Sequence, residues 1–140
     1  VTTPSALEAG RPLTRRRNVT ARLAVGAARV VAALPPRGIR ATLHLARTGA
    51  TPATAAQAQA ARDAVVAVSL RCAGRGCLQR SLATALLCRL GGTWPTWCTG
   101  VRTGPFRAHA WVEVDGTPVG ELEPTGYYHL TLSVPPRKTR

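Results

Sequence analysis

The sequence predicts an α+β fold, with helices first and strands after them. Three observations carry that expectation. Apolar residues recur every three or four positions in runs between Asn18 and Leu90. Gly91-Gly92 then closes the helical half. From residue 106 to 115 the chain alternates strictly: Phe106, Ala108, Ala110, Val112 and Val114 on one face, and Arg107, His109, Trp111, Glu113 and Asp115 on the other.

The elements follow in order. Residues 1–17 mix Pro, Gly, Thr and Arg and read as an irregular basic lead-in to one domain over 18–136, with a basic tail at 137–140. A first helix is expected from Asn18, its cap, to Leu34, with Val19, Leu23, Ala27, Val30 and Leu34 as its apolar stripe; Pro35-Pro36 stops it. Arg15, Arg22 and Arg29 are seven apart and form a basic stripe if that helix starts early, either a solvated face or a dock for an acidic partner. Residues 37–50 read as a short helix or an irregular connection. A second long helix spans about Thr51 to Leu70, with Pro52 in its first turn and Ala56, Ala60, Ala64, Val65 and Val68 facing the core. Gly74 and Gly76 mark a loop that delivers Cys77 to a helix running to Leu90. That helix is apolar on most sides, so it is expected to be central and buried. The strands expected are Trp94–Val101, interrupted by Pro95, then 106–115, its hairpin partner Thr117–Leu122, and Tyr127–Val134.

With 140 residues and 45 % apolar content, the chain is long enough for one folded domain and too apolar to be disordered. Its few aromatics and many alanines imply a core of small side chains. The net charge is +13, carried by Arg apart from Lys138, and it favours acidic partners: a nucleic acid, an anionic membrane or an acidic peptide. A compositional bias toward Ala and Arg gives the same pattern with no function attached. The arginines do not cluster with aromatics and no nucleic-acid motif is present, so nucleic acid is not the expected partner. No run reaches the length of a membrane span. The apolar stretch ending at Leu34 is broken by Arg22 and Arg29, which argues against a signal peptide. A cytoplasmic protein with reduced thiols is expected.

The four cysteines contain no C-x-x-C pair, which points away from a zinc ribbon or a thioredoxin-type site. Cys77 stands out because it opens a helix, where the dipole and the unpaired N–H groups favour a thiolate. Cys72 lies in a Gly-rich connection, Cys88 inside a helix, and Cys98 on a strand beside Trp97. His109, on the polar face of the alternating strand, is the matching base; His44 and His129 have no comparable context. Its orienting acid can be sought by counting. Asp115 lies six residues along the same strand, roughly 20 Å away, and is better read as a turn residue. A three-residue loop of Val114, Asp115 and Gly116 pairs Glu113 with Thr117 and so sets Glu121 opposite His109. A two-residue Asp-Gly turn sets Leu122 there instead. Glu121 is the choice, with Glu123 next. Cysteine-based acyl transfer, most simply peptide cleavage, is the leading reading. The competing ones are another acyl transfer on the same Cys-His framework, such as a transglutaminase-like or amidase activity, a non-enzymatic basic protein that binds nucleic acid, and a zinc site from Cys72, Cys77 and His109.

The segments Cys77-Leu78-Gln79-Arg80-Ser81-Leu82-Ala83, Gly100-Val101, Pro105-Phe106 and His109-Ala110-Trp111-Val112-Glu113-Val114-Asp115-Gly116 resemble the leader-peptidase B proteins of lasso peptide biosynthesis. Those are similar to transglutaminase-like and papain-like cysteine enzymes. The resemblance covers roughly residues 55 to 122. It implies a transglutaminase-like fold, with a nucleophile-bearing helix packed on an antiparallel sheet. It also implies a cysteine peptidase that removes the leader from a ribosomally made precursor, with no cofactor or metal, before a separate cyclase closes the core. The implied triad is Cys77, His109 and an acid. Members often have Asp at the acidic position, so Glu121 is a departure or a permitted variant. The resemblance further implies a separate leader-binding protein as partner, because this chain has room only for the peptidase half.

Overall fold

A computed structural model describes residues 14–69, 72, 74, 76–121, 126 and 128–137. The expected strand start at Tyr127, the alternative acid Glu123 and most of the lead-in lie outside these residues. Helices α1 (Arg15–Ala32), α2 (Pro36–Ala46), α3 (Ala55–Val68) and α4 (Cys77–Leu90) come first. Two-residue strands β1 (Thr51–Pro52) and β2 (Thr93–Trp94) pair in parallel. Strands β3 (Thr96–Arg102), β4 (Arg107–Val114), β5 (Thr117–Pro118) and β6 (His129–Val134) form an antiparallel sheet of order β5-β4-β3-β6. The α+β expectation holds, with α4 packed between α1, α3 and the sheet.

Several boundaries differ from the sequence reading, each for a local reason. The first helix is capped by Thr14, whose Oγ1 accepts from the Arg17 N–H, rather than by Asn18, so its first turn reaches into the expected lead-in. Asn18 instead accepts from Arg22 Nε at 2.7 Å. Pro36 does not merely stop α1; it is the first residue of α2, where its missing N–H costs nothing. Pro52 belongs to β1, and α3 starts later, behind a capping box in which Thr54 and Gln57 satisfy each other's backbone N–H groups. Ala56 and Ala60 are exposed; the buried face of α3 is Ala58, Ala61, Arg62, Val65 and Val66, with Ala64.

The larger correction concerns α1. Its buried residues are Ala21, Ala24, Val25, Ala28 and Val31, not the stripe with the longer aliphatic side chains. Val19, Leu23 and Val30 face solvent at 52, 63 and 69 % exposure, and Leu34 beyond the helix end is exposed as well. Alanines on the buried face let α1 lie close on α4, since side-chain size at the contact sets interaxial distance. Bulk is supplied from the sheet side. Trp94 and Trp97 are fully buried, and each indole N–H is satisfied at 3.0 Å, by Val134 C=O and Ser81 Oγ respectively. Arg89 of α4 donates to Ala46 C=O at 2.7 Å and to Thr48 C=O at 3.0 Å, closing the end of α2. On the other face of the sheet Cys98, Trp111 and Tyr128 form a small second cluster. Among the described residues no helix is long and apolar enough to cross a membrane.

Candidate active site

Cys77 is the first residue of α4, as its glycine-rich approach requires. The cap residue Gly76 has no side chain to satisfy the first-turn N–H groups, and the first turn carries no acidic residue. The positive end of the helix is therefore left to a ligand or a thiolate. Arg80, one turn on, donates to Cys72 C=O at 3.1 Å and to Gly74 C=O at 3.0 Å, tying the approach loop to the helix start.

His109 sits on β4 opposite Gly100 and hydrogen-bonds the Cys77 thiol. That bond is the main reason the Cys77 thiol is held below its usual value; burial opposes it, and the Ala110 backbone, the His109 charge and the Arg80 charge add to it. His109 moves the other way, up to about 9, through its bonds to Cys77 and then Glu121, against burial, with the charges of both partners helping. Both shifts have one main cause, the Cys77–His109 contact, which favours the charged form of each partner. The imidazole is also flanked by aromatic rings. Trp111 stacks on it at 5.7 Å between centroids and 17° between planes, and Tyr128 lies at 5.5 Å. Ring faces so placed favour an imidazolium. Trp111 is held in turn by Glu113, whose Oε2 accepts from its indole N–H at 3.0 Å.

Glu121 meets His109 through Oε1 and Nε2, leaving the other ring nitrogen for the thiol. It gets there by a route the turn counting missed. Asp115 and Gly116 both take positive φ, 51° and 79°, and make a two-residue turn that pairs Val114 with Thr117 and Glu113 with Pro118. That register, continued, would bring Leu122 opposite His109. It does not continue. The ladder ends with Val119 N–H donating to Val112 C=O, and Gly120 then turns the chain at φ 68°. The break sends Glu121 to the imidazole. Gly120 is wedged against Arg62 of α3: a Cβ built on it would lie 2.6 Å from Arg62 Cδ and Nε. Arg62 itself is only 6 % exposed. Neither residue stood out in the sequence, though an Arg on the buried side of an Ala/Val helix face was a readable signal. Asp115 is exposed at the turn, away from His109.

The other thiols do not share this setting. Burial pushes Cys88 up to about 11 and Cys98 up to about 12, the latter helped by the Glu113 charge. Cys72 is fully buried. Among the described residues no three or more His, Cys, Asp or Glu side chains are grouped to hold a metal, so Cys72, Cys77 and His109 do not form a zinc site. Cys77 and His109 open instead into a cleft of about 470 Å³. Its walls are mostly apolar: Ile39, Leu78, Trp97, Val101 and Leu132, with Thr99 and Thr131 at the rim. An apolar cleft with a few convergent polar groups is the usual form of a substrate site.

The family model of the transglutaminase-like superfamily matches residues 13–133, nearly all of the chain. Neither a curated protein nor a solved structure matches it.

Proposed function

The chain belongs to the transglutaminase-like superfamily of cysteine-dependent acyl-transfer domains, and on that premise we propose that it is a cysteine peptidase that cleaves the leader from a ribosomally made lasso precursor peptide. The observation that carries the reading is the pairing of a depressed Cys77 thiol with a raised His109, both lining one apolar cleft. The resemblance of the Cys77–Ala83 and His109–Gly116 segments to lasso leader peptidases supports the choice of substrate.

The chemistry follows from the geometry. Cys77 Sγ attacks the scissile carbonyl carbon, and the carbonyl oxygen takes the electron pair. The uncapped first-turn N–H groups of α4 are the donors nearest that oxygen's charge. Collapse of the intermediate breaks the C–N bond, and His109 gives its proton to the leaving amine. A thioester remains on Cys77. His109, now neutral, takes a proton from water; the hydroxide adds to the thioester, and the carboxylate leaves as the thiol group is restored. Glu121 holds the ring orientation throughout.

A second reading is supported by the family itself: an amine in place of water would make the same thioester a transamidation intermediate, and water acting after release of a small amine would make it an amidase one. Partners proposed with the peptidase reading are the precursor, a separate leader-binding protein and the cyclase that uses the freed core, in the cytoplasm. The test is incubation of the purified protein with precursor and leader-binding protein, read by mass spectrometry. The peptidase reading expects two fragments whose masses sum to the precursor plus one water, and none with Cys77→Ala. Cleavage by a folded Cys77→Ala variant would remove Cys77 from the reaction. A mass shift that records amine addition would favour transamidation.

A further inference from the structure

We propose that the outer face of α1 is a docking surface for a partner protein that presents an aliphatic ridge flanked by carboxylates. The surface is independent of the chemistry at Cys77. Val19, Leu23 and Val30 stand on one side of α1, continued by Leu34, and are more than half exposed within the helix. Among the described residues nothing covers them, because α1 uses its alanine face for the core. Arg15, Arg22 and Arg29, all exposed, run along the flank of that stripe. Gly26 and Ala27 lie exposed at its centre, and a Cβ on Gly26 would touch nothing within 4 Å. The stripe therefore has a notch between Leu23 and Val30, the form that accepts a side-chain knob from another helix.

Charge selects the occupant. Residues 9–62 contain ten arginines and not one Asp or Glu, so no nearby carboxylate along the chain offsets the rim. A second copy of this chain is a poor fit, since a twofold contact through the stripe would set the same arginine rows against each other. A bilayer is a poorer fit: α1 carries no aromatic anchor, and fluid lipid has no use for a notch. A complementary protein face with acidic flanks meets all three features. Its contact with α1 alone is small. The 18-residue helix is about 27 Å long and roughly 10 Å wide, about 270 Å² against roughly 800 Å² per partner in a stable complex. Docking through this face is therefore weak and reversible, the regime in which rim charge governs encounter.

The probe is a synthetic peptide of about 20 residues, long enough to form a helix, with leucines at helical spacing and glutamates on both flanks. Its scrambled isomer is the control, and binding is read by fluorescence anisotropy at low and high salt. The expected result is saturable binding by the full chain that weakens at high salt, with the isomer at least tenfold weaker. Leu23→Glu with Val30→Glu, and separately Arg22→Glu with Arg29→Glu, should each weaken binding at least tenfold. Each should keep the parent's circular dichroism and Cys77 alkylation rate, so one pair suffices if the other misfolds. Equal binding of the isomer, or binding that survives a folded variant, overturns the proposal. So does binding to phosphatidylglycerol vesicles or duplex DNA that exceeds peptide binding and is lost in the same variants; that outcome would reassign the face.

Discussion

Gly120→Ala should cripple the site without touching a reacting atom. Gly120 holds φ 68°, where a side chain costs about 1–2 kcal/mol. The new methyl would also lie 2.6 Å from Arg62 Cδ and Nε and 2.9 Å from Cζ. Arg62 is buried, so it cannot simply swing into water; overpacking of this kind costs about 1–3 kcal/mol. Together the expected loss is about 2–5 kcal/mol, part of it relieved by moving the Gly120 turn and Glu121 with it. Chemical denaturation measures the stability, and iodoacetamide alkylation against pH measures the Cys77 thiolate. The variant should unfold at lower denaturant, and its thiolate should appear at higher pH than in the parent. A double-mutant cycle with Arg62→Ala separates the two terms: the overlap should appear as a coupling of about 1–3 kcal/mol, with the φ cost left behind. A coupling near zero, or a Gly120→Ala protein with the parent's midpoint and pH profile, would refute the claim that this contact places Glu121.

Three further expectations are more local. Glu121→Gln removes a carboxylate that helps hold His109 at about 9, so the alkaline limb of the cleavage profile should move to lower pH and the rate should fall at least about tenfold, less than on loss of His109; an unchanged profile would leave Glu121 without that role. At neutral pH, peptide mapping after brief alkylation should find Cys77 labelled and Cys88 and Cys98 untouched, because burial pushes those two to about 11 and about 12; prompt labelling of either in the folded protein would contradict the burial. Ser81→Ala strips the Trp97 indole N–H of its acceptor, at a cost of about 1–3 kcal/mol in the unfolding free energy; a neutral effect would mean another acceptor takes over.

The parts of the fold legible in the sequence were those fixed by strong local patterns. The alternation from 106 to 115 pointed to β4, which runs Arg107–Val114, the all-round apolar run from Cys77 to Leu90 set α4, and Pro95 split the strand around it. The helix-start cysteine and the strand histidine could be named because their surroundings are local too. α1 was legible as a helix but not in its orientation. Pattern reading favours larger side chains for the core, while close packing on α4 selected alanines and turned Val19, Leu23 and Val30 outward. Glu121 shows a different limit. A three-residue loop would set Glu121 opposite His109 directly, whereas Asp115 tolerates positive φ and makes a two-residue turn. The residue meets His109 after Gly120 turns the chain at φ 68°, at a point where Arg62, far away in sequence, leaves no room for a side chain. Tertiary contacts of this kind leave no periodicity to read.

The proposed chemistry needs Cys77 and His109 to act as a pair, and one measurement reaches that pairing directly. The rate of Cys77 alkylation is followed against pH in the parent and in His109→Ala, with unfolded protein as the reference. In the parent the His109 bond and charge hold the thiol below its usual value, so the thiolate should be present at pH values where the unfolded chain has almost none. Removing the imidazole leaves burial as the largest remaining influence on Cys77, and the inflection should rise by more than one pH unit toward or past that of the unfolded chain. Superimposable profiles in a folded His109→Ala protein would contradict the pairing, and with it the acyl-transfer mechanism built on it.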